Sequence, residues 1–404
     1  MRRPHPALPI LGLCALVGLS TALAATPAQA ASTGTVSHGV YLVYKAAKGK
    51  ANNLEITRSG DVITFDDTVK LKAGKGCAAV SGHTTVVTCT IADPGTLVVT
   101  LGDKNDTFVN NSDLRLHAYG GPGNDVLHGG KVYDKLDGGT GRDKLYGGDG
   151  KDKLYGQAGN DLLDGSWGDD DLAGGDGNDT LVGRTGSDAL YPGGGKDVVW
   201  AGAGNDRIYD GSKSADVFHG GTGFDLLGYY RTKGVVVDLD GAKGDDGEPG
   251  EGDTVDVDVE GLTGGNGNDR LTGNAAANYL DGDSGDDVLL GGGGDDRLDG
   301  SWDEDVVDGG PGDDLLDGGY ENDIVRGGTG DDNASGNDGF DKVYGGDGDD
   351  ELFGWVRRDG APPIEGDDER GGDLFGGAGS DLCDPGLGGT QVDCERSPLE
   401  GQRR

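Results

Sequence analysis

An apolar residue returns at every ninth position through two long stretches of this chain. Leu127, Leu136, Leu145, Leu154, Leu163, Leu172, Leu181 and Leu190 mark the first stretch, each set between polar residues and glycines. A period of nine fits neither the 3.6-residue helical repeat nor the simple alternation of an isolated strand. The unit reads G-G-x-G-x-D-x-L-x, and so short an internal period marks a solenoid, whose length counts repeats rather than domains. The three residues around each Leu, such as Val126-Leu127-His128 or Lys144-Leu145-Tyr146, suffice for a strand with one inward side chain. The glycines at positions one, two and four suit the turn between strands. Two units then make one coil, with turns on both edges and Leu side chains meeting between two small parallel sheets. The predicted fold is therefore all-β, a right-handed parallel β-roll with a β-rich N-terminal cap.

The pattern divides the chain into six parts. Residues 1–30 read as a signal peptide: Arg2 and Arg3, an apolar run from Leu8 to Leu23, and Ala28-Gln29-Ala30 as the cleavage site. Gly12, Gly18, Ser20 and Thr21 interrupt a run that is short for a bilayer, so no membrane span is expected in the mature chain. Residues 31–119 carry strand signals at Gly39–Tyr44, Leu54–Thr57, Val62–Phe65, Val86–Thr90 and Leu97–Thr100, and read as the cap, with a separate small sandwich as the alternative. The first array spans 120–228, with one residue of slippage between Asp210 and His219. An acidic insertion at 229–263 holds two alternating stretches, Val235–Asp240 and Val255–Glu260, and is expected to form a hairpin-like excursion with a solvated loop, a further cation site among its acids being the alternative. The second array spans 264–353. Residues 354–404 supply a loop, a last repeat at Gly376–Asp384 and a disulfide-closed C-terminal cap.

Composition alone points the other way. With 84 Gly and 33% apolar residues, the chain has the makeup of a disordered protein. The phase-locked leucines oppose that reading, although disorder in the absence of a ligand stays open. The formal net charge of −39 excludes nucleic acid and anionic lipid as partners and favours cations. Beyond Cys14 in the leader, four cysteines form two close pairs, Cys77 with Cys89 and Cys383 with Cys394. Three connectivities are open to four cysteines, but export and spacing favour local disulfides. A zinc site would want histidines near these pairs, and none is suitably placed.

The charge has a period as well. An Asp precedes each core residue by two positions. The candidate metal ligands are Asp125, Asp143, Asp152, Asp161, Asp170, Asp179, Asp188, Asp197, Asp206 and Asp225 in the first array; Asp269, Asp287, Asp296, Asp314, Asp332, Asp341 and Asp350 in the second; and Asp381 in the last repeat. Stacking coils at strand spacing piles Asp over Asp at about 5 Å, a repulsion of about 3 kcal/mol at an effective dielectric of about 20. A cation between the turns relieves it. Carboxylates and backbone carbonyls are hard oxygen ligands in a flexible, many-ligand cage, which suits Ca²⁺ better than the strictly octahedral Mg²⁺. Binding and folding are then one reaction.

Gly138–Tyr146, Gly174–Val182 and Gly345–Phe353 resemble the haemolysin-type calcium-binding repeat of the RTX family. The resemblance covers roughly half the chain, and it implies multiple Ca²⁺ ions held between neighbouring turns by position-six carboxylates and backbone carbonyls. Departures mark weaker turns. Val132, Ala276, Asp303 and Glu321 replace the fourth-position Gly, Asn278 replaces an Asp, Pro192 stands at a first position, and an extra residue falls near Ser214. Trp167 and Trp302 recur in Gly-Ser-Trp turns and read as packing or turn-surface residues before ligand-stacking ones.

Catalytic constellations do not emerge. The six histidines show no H-E-x-x-H spacing, no Ser stands in a G-x-S-x-G elbow, and no Walker loop occurs. The chain reads as a non-enzyme, a secreted Ca²⁺-binding protein with a structural or adhesive role outside the cell and an unidentified surface or glycan partner. An accessory module of a secreted hydrolase or protease, and a glycan or cell-wall binder, are the competing readings.

Overall fold

The computed structural model describes residues 33–39, 41–354, 372–384 and 390–396. The expected leader, Val40 of the first expected strand and most of the loop after Gly354 lie outside them. The described residues contain no helix, and strands follow one another along the whole length.

Each repeat forms a short strand whose central residue, the eighth position, turns inward between two outward-facing neighbours. In Lys144–Asp149, Leu145 is buried while Lys144 and Tyr146 face outward. Successive coils pair in parallel with a step of two repeats, so that Leu136 faces Leu154, Leu154 faces Leu172 and Leu172 faces Leu190. The leucines, together with Val199, Phe218, Val307 and Val343 at equivalent places, line one continuous core. This is the parallel β-solenoid expected of a β-roll.

One face is a single 19-stranded sheet, whereas the other is divided into a 12-stranded and an 8-stranded sheet. The division falls at the acidic insertion, and here the structure departs from the expected hairpin. Val236–Asp238 pairs in parallel with Arg270–Thr272 and opens the 8-stranded sheet, while Thr254–Val255 pairs in parallel with Val217–Thr222 and closes the 12-stranded one. The two stretches do not pair as strands with each other. Val235, Val237, Leu239, Val255 and Val259 are buried, so both stretches gain more by extending the core than by leaving it. Nor is the loop between them simply solvated: Asp246 and Asp253 are buried, and Asp246 accepts N–H bonds from Asp238 and Val255, both of 2.9 Å.

The N-terminal strands prolong both faces. Leu97–Thr100 pairs in parallel with Leu116–Pro122, and Thr107–Asn111 with Val126–Gly130. Antiparallel strands then end the stack: Asn53–Ser59 pairs with Val62–Asp66, which pairs with Val86–Thr90. The slippage in the first array is absorbed on both edges, as register steps of 19 between Asp197 and Asp216 and between Asp206 and Asp225, where the rungs just before them, Asp179 to Asp197 and Asp188 to Asp206, step by 18. Trp302 stacks on Tyr320 at 4.0 Å, whereas Trp167 is 66% exposed on its turn.

Both expected disulfides are present, Cys77–Cys89 and Cys383–Cys394. Cys383 takes the place of the core Leu and is buried against Leu352 of the preceding coil. Replacing Cys383 and Cys394 by Ser is expected to weaken the C-terminal end by about 2–4 kcal/mol. Hydrogen exchange should then show lost protection around Leu374, with the strands from Asp134 to Ala203 unchanged.

Candidate metal centre

The position-six carboxylates form ladders along the edges of the roll. On the edge leading into the 12-stranded sheet, the backbone N–H of Asp106 donates to Oδ1 of Asp125. The same bond recurs from Asp125 to Asp143, Asp161, Asp179, Asp197, Asp216 and Asp253 in turn, at 2.7–2.9 Å. The edge leading into the 19-stranded sheet repeats this from Asp134 through Asp152, Asp170, Asp188, Asp206 and Asp225, where Glu260 takes over as acceptor. It resumes from Asn278 through Asp296, Asp314, Asp332, Asp350 and Asp381. A third ladder, Asp269, Asp287, Asp305, Asp323 and Asp341, serves the 8-stranded sheet.

All eighteen carboxylates singled out in the sequence stand in these ladders. In every one, Oδ1 takes a backbone proton from the neighbouring coil while Oδ2 is buried without a hydrogen-bond partner. A buried, unpartnered carboxylate oxygen costs several kcal/mol unless a cation meets it. The ladders also include Asp106, Asp134, Asp305 and Asp323, whose Oδ2 atoms are equally unpartnered. Asp134, Asp305 and Asp323 also stand at position six, after turns whose missing fourth-position Gly marks them in the sequence as weaker. Asp303 and Glu321 take positive φ, 74° and 77°, in place of that Gly, and Asp305 and Asp323 keep their rungs in the ladder. Position six alone was the better signal.

Glycine leaves the space beside each oxygen open. A Cβ on Gly147 would lie 2.5 Å from Asp152 Oδ2 and 2.7 Å from the carbonyl oxygen of Gly165 in the next coil. The first-position Gly thus keeps clear a pocket flanked by one carboxylate and one backbone carbonyl. The fourth position lets coils approach closely: Gly141 has φ +132°, and a Cβ there would fall 1.6 Å from the carbonyl oxygen of Gly123. At the Gly147 cradle the flanking atoms are hard oxygen donors, a carboxylate and a backbone carbonyl.

Burial raises several of the ladder carboxyls far above the usual carboxylate range. Asp152 and Asp188 are pushed up to about 7, Asp170 and Asp287 to about 8, and Asp305 to about 9. Desolvation is the main cause. The backbone N–H bond offsets it in part, and neighbouring carboxylates add to it. Without a cation, the folded ladder holds protons that an exposed Asp would have released.

Two further groups gather residues from separate segments: His219 with Asp256 and Asp258, and Asp238 with Asp240 and Asp245. His219 Nδ1 lies 2.8 Å from Asp256 Oδ2, and its ring stacks on Trp200. Neither group uses the position-six ladder, and Asp238, Asp240 and Asp245 fall in the acidic insertion, whose acids offered a further cation site in the sequence.

The family model of the RTX calcium-binding nonapeptide repeat matches the chain at 117–136, 134–163, 164–199, 173–208, 191–227, 263–298, 299–334 and 326–356, together just over half its residues. The chain belongs to the RTX calcium-binding repeat family. No curated protein matches it. The RTX repeats bind Ca²⁺ at multiple sites, and the site passes the physical test of fit: paired hard-oxygen donors, unpartnered carboxylate oxygens and a cleared space at each turn. Among the described residues no helix is long and apolar enough to cross a membrane.

Proposed function

We propose that this RTX chain is a secreted, non-catalytic protein whose arrays fold around Ca²⁺ into a β-roll with a structural or adhesive role outside the cell. The carboxylates of the eighteen named Asp residues, with the backbone carbonyls of facing turns, hold the ions. Asp106, Asp134, Asp305 and Asp323 join them. The carrying observation is the buried, unpartnered Oδ2 that recurs at every one of these rungs. A bound Ca²⁺ supplies the positive charge that lets stacked carboxylates coexist. The protein's part is to orient Oδ1 toward the backbone and Oδ2 toward the cleared space. The acids are distributed along the length of the roll rather than converging on one cleft, which suits a load-bearing surface better than a reaction centre. The leader read at 1–30 and the two disulfides favour an exported protein, which would meet abundant Ca²⁺ outside the cell.

Gly147→Ala tests the assignment. Its Cβ enters the space beside Asp152, so calorimetric Ca²⁺ stoichiometry is expected to fall by the sites sharing that turn, as it should for Asp152→Ala. Gly211→Ala, whose Cβ would meet nothing within 4 Å, should leave it unchanged. Equal stoichiometry in Gly147→Ala and the parent would remove the cradle as the binding place.

A further inference from the structure

The run of unpartnered oxygens stops at the joint between the arrays. Asp216 Oδ2 accepts the Ser212 hydroxyl at 3.0 Å, and Asp253 Oδ2 accepts the Tyr229 hydroxyl at 3.3 Å. Asp253 Oδ2 also lies 4.0 Å from the guanidinium of Arg231. Arg231 forms further charge-assisted bonds with Asp210 and Glu251. All these side chains are buried: Arg231 is 4% exposed, Asp210 and Asp253 0%, and Glu251 2%. The guanidinium sits over the Tyr229 ring, 5.1 Å from its centre.

Without the arginine, the remaining arrangement is that of a metal site. Asp210, Glu251 and Asp253 each present a carboxylate oxygen, and these oxygens lie within 4.8 Å of one another. Glu251 Oε1 is buried with no hydrogen-bond partner. A guanidinium is a permanent cation with several donors in a rigid fork, so one Arg can serve more than one carboxylate. Being part of the chain, it cannot be removed by a chelator.

We infer that Asp210, Glu251 and Asp253 form a cation site that the chain fills with its own Arg231, making the joint between the arrays independent of the Ca²⁺ that the arrays require. The inference rests on the calcium reading above. It accounts for why the two ladder carboxylates of the joint, Asp216 and Asp253, have protein donors on Oδ2 where the rungs of the arrays have none. The joint is also where the 12-stranded sheet gives way to the 8-stranded one. A fixed charge there holds the register from which each array rebuilds when Ca²⁺ returns.

Hydrogen exchange on the full chain, titrated from chelator into Ca²⁺, tests this. Peptides covering 229–239 and 246–259 are expected to be protected already in chelator, before any Ca²⁺ is added, where 134–206 and 287–350 are not. In Arg231→Met the joint should lose this advantage and become protected together with the arrays. Coincident midpoints in the parent protein would overturn the inference while leaving calcium-dependent folding intact, and so would an unchanged joint in Arg231→Met. Should that variant fail to fold, the parent comparison decides alone. If no peptide responds to chelation, the calcium reading falls and the inference with it.

Discussion

Acid is expected to restore strand content to the calcium-free protein. In chelator at pH 7.5 the arrays should lack most of their parallel sheet, and part of it should return as the pH is lowered to about 5. The ladder carboxyls carry the effect: unfolded, they titrate near 3.8, and folded, at about 7 for Asp152 and Asp188, about 8 for Asp170 and Asp287, and about 9 for Asp305. Between those limits the folded chain binds more protons than the unfolded one, so its stability falls as pH rises and recovers as pH falls. A proton on each rung does crudely what the cation does, by removing the buried charge. The same linkage fixes the sign for Ca²⁺, whose binding near neutral pH should release protons and weaken in acid. Circular dichroism in chelator from pH 5 to 8, with proton release measured in weak buffer, checks both. Strand content independent of pH across that window would contradict the account.

A core substitution far from any ligand should also cost calcium affinity. Leu172 is fully buried between Leu154 and Leu190 and contributes no oxygen to a turn. Leu172→Ala is expected to cost about 2–5 kcal/mol. Because ordering the coil and loading its turns are one reaction, that loss appears in the Ca²⁺ titration, where about 1.4 kcal/mol is tenfold. Peptides from 152 to 190 should need at least about tenfold more Ca²⁺ to become protected. Those from 287 to 350 should be unaffected, since a solenoid sums the stabilities of neighbouring units. A uniform shift along the chain would replace this additive picture with a single cooperative unit.

The parts of the molecule that repeat were legible from the residues alone. Leu145 and its counterparts fixed which position turns inward, and Asp143 and its counterparts fell into ladders because a step of two repeats returns position six to the same edge. The rule failed where it asked for too much. Turns without a fourth-position Gly read as weaker, yet Asp305 and Asp323 stand in the ladder behind Asp303 and Glu321 at positive φ. Alternation in Val235–Asp240 identified the strand Val236–Asp238, whereas of Val255–Glu260 only Val255 lies in a strand; neither stretch revealed its partner, because an open parallel edge competes with the hairpin, and only the folded roll supplies that edge. The cluster around Arg231 draws on residues 210, 231, 251 and 253, which meet only once the insertion folds back into the roll.

The most direct measurement is a Ca²⁺ titration of the chelated chain at neutral pH, followed by calorimetry and circular dichroism on the same sample, and repeated with Mg²⁺. Heat and strand signal should rise together, saturate at many ions per chain, and respond to Mg²⁺ weakly or not at all. A chelated protein with the strand content and melting temperature of the calcium-loaded one would contradict the claim that calcium and fold are a single equilibrium.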